Sequence, residues 1–115
     1  NGMDYLVVAC EEIAEVQQQL TKALRGKEQK LTLIEEMADV LLGMEFLNSV
    51  YEIDVNVYGS YLNTKEISYF KILEQLNKLQ ASILNAILTN DTSSLKNNCV
   101  EVLFSFDLLK KNFDK

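Results

Sequence analysis

The chain has no histidine and no proline, and only four glycines and two cysteines among its 115 residues. Each shortage excludes something. Without histidine there is no Ser-His-Asp or Cys-His catalysis. The Glu-x-x-His ligand pairs of ferritin-like di-iron bundles cannot be built either. Any catalysis must use carboxylates, lysine, tyrosine, a thiol or a metal. With no proline and few glycines, little interrupts a helix. Cys10 and Cys99 form no CxxC motif and have no histidine to complete a zinc set. They read as two reduced thiols in or near the core, which suits a reducing cytoplasm. The apolar runs are too short to span a bilayer. The N-terminus lacks the basic-then-apolar pattern of a signal peptide.

The formal net charge is −6. Binding a nucleic-acid polymer or an anionic membrane needs clustered Lys and Arg, so neither is expected. A phosphate substrate remains compatible if metal ions stand between the two sets of negative charge.

What is present is helical periodicity. Leu6, Ala9, Ile13, Val16, Leu20, Ala23 and Leu24 recur at helical spacing and predict a first helix over residues 4–25. Gly26 ends it, with Lys22 and Arg25 in the last turn, where cations suit the helix dipole. Leu33, Met37, Val40, Leu41, Met44 and Leu47 predict a second helix over 31–51. The short polar connection 27–30 makes the two antiparallel neighbours. Residues 52–65 read as a linker, with strand character at Val55, Val57 and Tyr58 broken by Gly59, Ser60 and Asn63. A third helix is expected over 66–88, with Phe70, Leu73, Leu76, Leu79, Ile83 and Ile87 on its stripe. A fourth is expected over 94–112, with Val100, Leu103, Phe104 and Leu108 inward. The fold expected over residues 3–115 is one all-α domain, a four-helix bundle of two helical hairpins (4–51 and 66–112).

The hairpins resemble each other. Glu11 to Leu24 lies over Glu74 to Ile87 without a gap, and Ala38 to Leu47 lies over Val100 to Leu109. Duplication and shared helical periodicity both account for this. Chemically the halves differ: Gln75 and Lys78 stand where the first half has Glu12 and Glu15, and Asn98 stands for Glu36. A metal site, if present, belongs to the first hairpin.

That site is expected at Glu12, Glu15, Glu36 and Asp39. Residues three apart on a helix lie within roughly 60° of each other, so each pair projects as a two-carboxylate claw. Glu12 shares its sector with Ala9, Val16 and Ala23; Glu36 falls among Leu33, Val40 and Leu47. Both therefore lean toward the neighbouring helix, whereas Glu11 and Glu35 point further toward solvent. Converging carboxylates repel unless a cation holds them. Mg²⁺ or Mn²⁺ suits four hard oxygen donors. The plainer reading is a pair of solvated acidic faces.

The stretch Glu11 to Gly26 (EEIAEVQQQLTKALRG) and the stretch Leu33 to Leu47 (LIEEMADVLLGMEFL) together resemble the MazG-like all-α nucleoside triphosphate pyrophosphohydrolases. The shared pattern is ExxE, a spacer, then ExxD, here Glu12, Glu15, Glu36 and Asp39. The resemblance covers roughly residues 4–51. It implies a helical bundle that assembles as a homodimer or a higher homo-oligomer. It implies cleavage of a nucleoside triphosphate between its α and β phosphates, with the four carboxylates holding Mg²⁺ (or Mn²⁺). Glu12 and Glu15 are then the candidates for accepting the proton of the attacking water. Lys22 lies two turns beyond Glu15 and can reach a β- or γ-phosphate, or simply compensate the helix end; Arg25 points further round. Gly43 fits close helix packing or substrate clearance. Two other readings are a non-catalytic metal-binding interaction module and a related hydrolase of another nucleotide such as phosphoribosyl-ATP.

Overall fold

The computed structural model describes residues 2–51 and 67–113. Among these the protein is all-α, with four helices: α1 (Gly2–Leu24), α2 (Lys30–Tyr51), α3 (Tyr69–Thr89) and α4 (Leu95–Phe113). The chain divides into two compact units, Asn1–Glu52 and Ile53–Lys115. The expected linker, with Val55, Val57 and Tyr58, lies outside the described residues. Among the described residues no helix is long and apolar enough to cross a membrane.

In the first unit α1 ends where the chemistry of its last turn requires. Gly26 has φ +79°, a left-handed conformation open to glycine without a Cβ penalty. The Gly26 amide donates to the Ala23 carbonyl at 3.0 Å and the Lys27 amide to the Lys22 carbonyl at 2.9 Å. These two bonds form a Schellman motif that satisfies carbonyls the helix leaves unpaired. The chain then reverses into α2. Tyr5 stacks on Phe46 with ring centroids 3.6 Å apart, Glu12 approaches Gly43, and carboxylate oxygens of Glu15 and Glu36 come within 4.8 Å of each other. Partner numbers fall on α2 as they rise on α1, so the helices are antiparallel.

The seam follows the expected stripe closely. Leu6, Ala9, Ile13, Val16 and Leu20 are buried against Leu33, Met37, Val40, Met44 and Leu47. Each fully buried aliphatic side chain stabilises the pair by about 1.5–3 kcal/mol. Of the other expected stripe residues, Ala23 and Leu41 are part-buried and Leu24, the last residue of α1, is 39 % exposed.

The second unit pairs α3 with α4, also antiparallel. Here the sequence reading needs correction. The third helix starts at Tyr69, not at residue 66, because Ser68 has extended backbone and its side chain accepts the Lys71 amide as an N-cap. Phe70, expected on the stripe, is 69 % exposed. Counting from the cap, the buried face is Ile72, Leu76, Leu79, Ile83 and Ala86. Phe70 is two residues from Ile72, roughly 200° round the helix. On α4 the buried arc is much wider than expected and adds Leu95, Cys99, Val102, Phe106 and Leu109. Neither Cys10 nor Cys99 is in a disulfide, as expected, and burial pushes the Cys99 thiol up to about 12.

Polar side chains are also buried in this seam, and they are partnered. The Ser105 hydroxyl bonds the Gln75 carboxamide. Ser94 donates to the Ser82 hydroxyl at 2.9 Å, and the Asn98 amide also donates to Ser82. Ser82 in turn donates to the Lys78 carbonyl at 3.0 Å. Matched groups of this kind avoid the cost of an unpaired buried donor or acceptor.

Candidate metal centre

The antiparallel register of α1 and α2 determines which carboxylates can meet. Glu15 and Glu36 stand opposite each other, and Asp39 lies one turn further along α2. Carboxylate oxygens of Glu15, Glu36 and Asp39 all lie within 4.8 Å of one another. Glu12 is not in this closest group. It sits beside it, near enough that the charges of Asp39 and Glu15 act on it. The structure thus brings three of the four expected residues together and places the fourth at their edge. Glu12 and Glu36 are half-buried; Glu11, Glu15, Glu35 and Asp39 are exposed. The inward lean of Glu12 and Glu36 agrees with their angular positions on the helices.

Like charges this close cannot all remain ionised cheaply. The Glu36 carboxyl is pushed up to about 7. The largest cause is its hydrogen bond with Glu15, where a protonated Glu36 donates and the Glu15 carboxylate accepts. Burial and then the charges of Glu15, Asp39 and Glu35 act in the same direction. The Glu12 carboxyl is also raised, chiefly by burial and then by Asp39, Glu15 and Glu11.

Glu36 carries a second abnormality. Its Oε2 is enclosed and has no hydrogen-bond partner. An enclosed carboxylate oxygen without a donor costs stability. A hard divalent cation would satisfy that oxygen and remove the mutual repulsion together. The donor set, four carboxylates with no nitrogen or sulfur, fits Mg²⁺ or Mn²⁺.

Gly43 acquires a specific role here. A Cβ built on it would stand 3.0 Å from the Glu12 Oε1. The missing side chain makes room for the Glu12 carboxylate. Gly43→Ala is expected to stabilise the metal-free protein by up to about 1 kcal/mol through helix propensity. It should displace Glu12 at the same time and lower metal affinity. Paired melting and Mn²⁺ titration curves check both effects; unchanged affinity would show that Glu12 needs no such room.

Lys22 is half-buried and Arg25 exposed. Lys22 is seven residues beyond Glu15, about 10 Å along the axis. Arg25 lies past the end of α1. Neither is drawn into the carboxylate group.

Sequence reasoning missed Gln19. It is 8 % exposed, and its Oε1 is enclosed without a hydrogen-bond partner. A signal existed: Gln19 lies seven residues after Glu12, hence in the same angular sector. The run Gln17-Gln18-Gln19 disguises it as solvated surface. Comparison of the chain with known protein families, curated proteins and solved structures finds no match.

Proposed function

We propose that this chain is a metal-dependent nucleoside triphosphate pyrophosphohydrolase of the MazG-like kind. It would cleave its substrate between the α and β phosphates to a monophosphate and pyrophosphate. The observation that carries the reading is the meeting of Glu15, Glu36 and Asp39 oxygens within 4.8 Å, with one enclosed Glu36 oxygen left unpartnered. In this reading Glu15, Glu36 and Asp39 hold Mg²⁺ or Mn²⁺, with Glu12 beside them. When bound, the ion supplies charge neutralisation for the phosphates, polarisation of the attacked phosphorus and acidification of a water.

The chain's own residues divide the remaining work. Glu12 stands outside the closest carboxylate group, and its carboxyl is raised by burial. Its place outside the group leaves it free to accept the attacking water's proton, and a raised carboxyl suits that role, because a base is most useful when its pKa approaches the working pH. Lys22 is the cation nearest the site along α1 and is assigned to the terminal phosphates; Arg25 is a more distant second. Tyr5, Val8 and Leu42 are 50 %, 45 % and 63 % exposed on the first hairpin, which favours a homodimer, testable by light scattering.

The test is a panel of ribo- and deoxyribonucleoside triphosphates, with phosphoribosyl-ATP included, assayed with Mg²⁺ and with Mn²⁺ for pyrophosphate release. Turnover of at least one triphosphate is expected. Turnover of phosphoribosyl-ATP alone would reassign the substrate. Metal-dependent melting with no turnover anywhere would make the centre a structural metal site in an interaction module.

A further inference from the structure

The two hairpins place side chains in matching register, and the match shows what Gln19 can reach. Laying Glu11 to Leu24 over Glu74 to Ile87, and α2 over α4 in the register set by Ala38 over Val100, pairs Glu12 with Gln75 and Gly43 with Ser105. These are contacting pairs in both hairpins: Glu12 approaches Gly43 in one, and Gln75 bonds Ser105 in the other. Glu15 and Glu36 correspond to Lys78 and Asn98, again in contact in each. By the same register Gln19 corresponds to Ser82, Glu36 to Asn98 and Thr32 to Ser94.

In the second hairpin Ser82 is bonded to both Asn98 and Ser94. The position of Gln19 is therefore within side-chain reach of the position of Glu36. A glutamine reaches further than a serine. Yet in the first hairpin the bonds are missing. Gln19 Oε1 and Glu36 Oε2 are both enclosed, and both lack a partner. Both are acceptors, so they cannot satisfy each other. Two enclosed acceptor oxygens from adjacent helices, beside two further carboxylates, define an oxygen-lined place that needs a positive charge.

We propose that the Gln19 carboxamide oxygen is a further oxygen of the cation site, reaching it from one turn along α1 beyond Glu15. The inference rests on the reading of the carboxylates as a metal centre and extends it to a neutral donor. Carboxamide oxygens are ordinary ligands for hard divalent ions. A neutral donor adds affinity without adding to the repulsion that already raises Glu12 and Glu36. Gln19 is a cation ligand in this assignment, and it touches no substrate.

Mn²⁺ alone is the probe. Calorimetric titration of the full chain and of Gln19→Leu should show Mn²⁺ binding weakened about tenfold in the variant, the scale seen when metal-site partners are lost. Metal-free Gln19→Leu should melt at the same temperature as the parent or higher, because an unpaired acceptor has been replaced by an apolar group. Gln19→Glu should melt lower without metal and bind Mn²⁺ more tightly, which keeps the test decisive if the leucine variant fails to fold. Equal Mn²⁺ affinity in the parent and the folded variants overturns the role of Gln19 and leaves the carboxylate centre standing. No Mn²⁺ binding by the parent overturns both. A metal-free Gln19→Leu protein that melts lower than the parent would mean that a reversed carboxamide donates its N–H to Glu36, and this too overturns the proposal.

Discussion

Glu36→Gln is expected to abolish pyrophosphate release while making the metal-free protein more stable at pH 8. The two effects have one origin. Glu36 is the carboxylate most constrained by its neighbours: bonded to Glu15, half-buried, and close to the charges of Asp39 and Glu35. Ionising it in the absence of metal leaves two carboxylates in contact with no proton between them. A glutamine has the same shape and always carries N–H donors, so it keeps the bond to Glu15 and removes the repulsion. What it loses is the charge that would hold the proposed cation. Removing an outer partner of a metal site costs about 10–100-fold in affinity, and a direct ligand should cost at least as much. Nucleotide turnover and Mn²⁺ titration measure the loss; thermal melting in chelator measures the gain. A purely structural Glu36 predicts the opposite melting result, a variant less stable than the parent. If the variant keeps more than a tenth of parental turnover, the centre is elsewhere.

The first hairpin was more legible in the sequence than the second, and the reason lies in residue distribution. On α1 most apolar residues occur at three- and four-residue intervals, so the buried stripe has clear edges; α2 is apolar over more of its surface, with Leu31 and Leu42 exposed, but most of its acidic residues mark the outward side. On α4 the run Val100 to Leu109 is almost continuously apolar. Periodicity then loses its contrast, and Val102, Phe106 and Leu109 could not be separated from the outward positions. The second hairpin also buries Gln75, Ser82 and Ser105. A hydrophobicity pattern assigns such residues to the surface; they are inside because each finds a partner across the seam. The start of α3 depended on one side chain, Ser68, which caps its first turn by accepting the Lys71 amide. The acidic claws were legible because charge spacing on a helix translates directly into direction. That Glu12 stands at the edge of the group was not legible. It follows from the register of α2 against α1 and from the space left by Gly43, and neither is encoded in the spacing of the four acids alone.

Stability should fall with rising pH in the absence of divalent metal, and added metal should oppose that fall. In metal-free protein the Glu36 carboxyl is raised from the ordinary glutamate value of 4.5 to about 7, and the Glu12 carboxyl is raised as well. A carboxyl whose pKa is higher folded than unfolded binds its proton more tightly in the native state. Its stabilising contribution is complete below the unfolded pKa and is lost as pH climbs through the folded value. The chelated protein should therefore melt at steadily lower temperature from pH 5 to pH 8. Cation binding needs the ionised carboxylates, so protons and metal compete for the same oxygens. Added Mn²⁺ should do little at pH 5 and progressively more as pH rises. At a free concentration 100 times the dissociation constant, a ligand bound only by the native state stabilises it by about 2.7 kcal/mol. For a unit of this size that corresponds to roughly ten degrees or more in melting temperature. The curves with and without Mn²⁺ should thus nearly coincide at pH 5 and separate widely at pH 8. In Glu36→Gln both the decline in chelator and the gain with Mn²⁺ should shrink. A Mn²⁺ effect of equal size at pH 5 and pH 8 would mean that the ion binds somewhere other than these carboxylates. A flat melting profile in chelator would mean that Glu15 and Glu36 share no proton in solution.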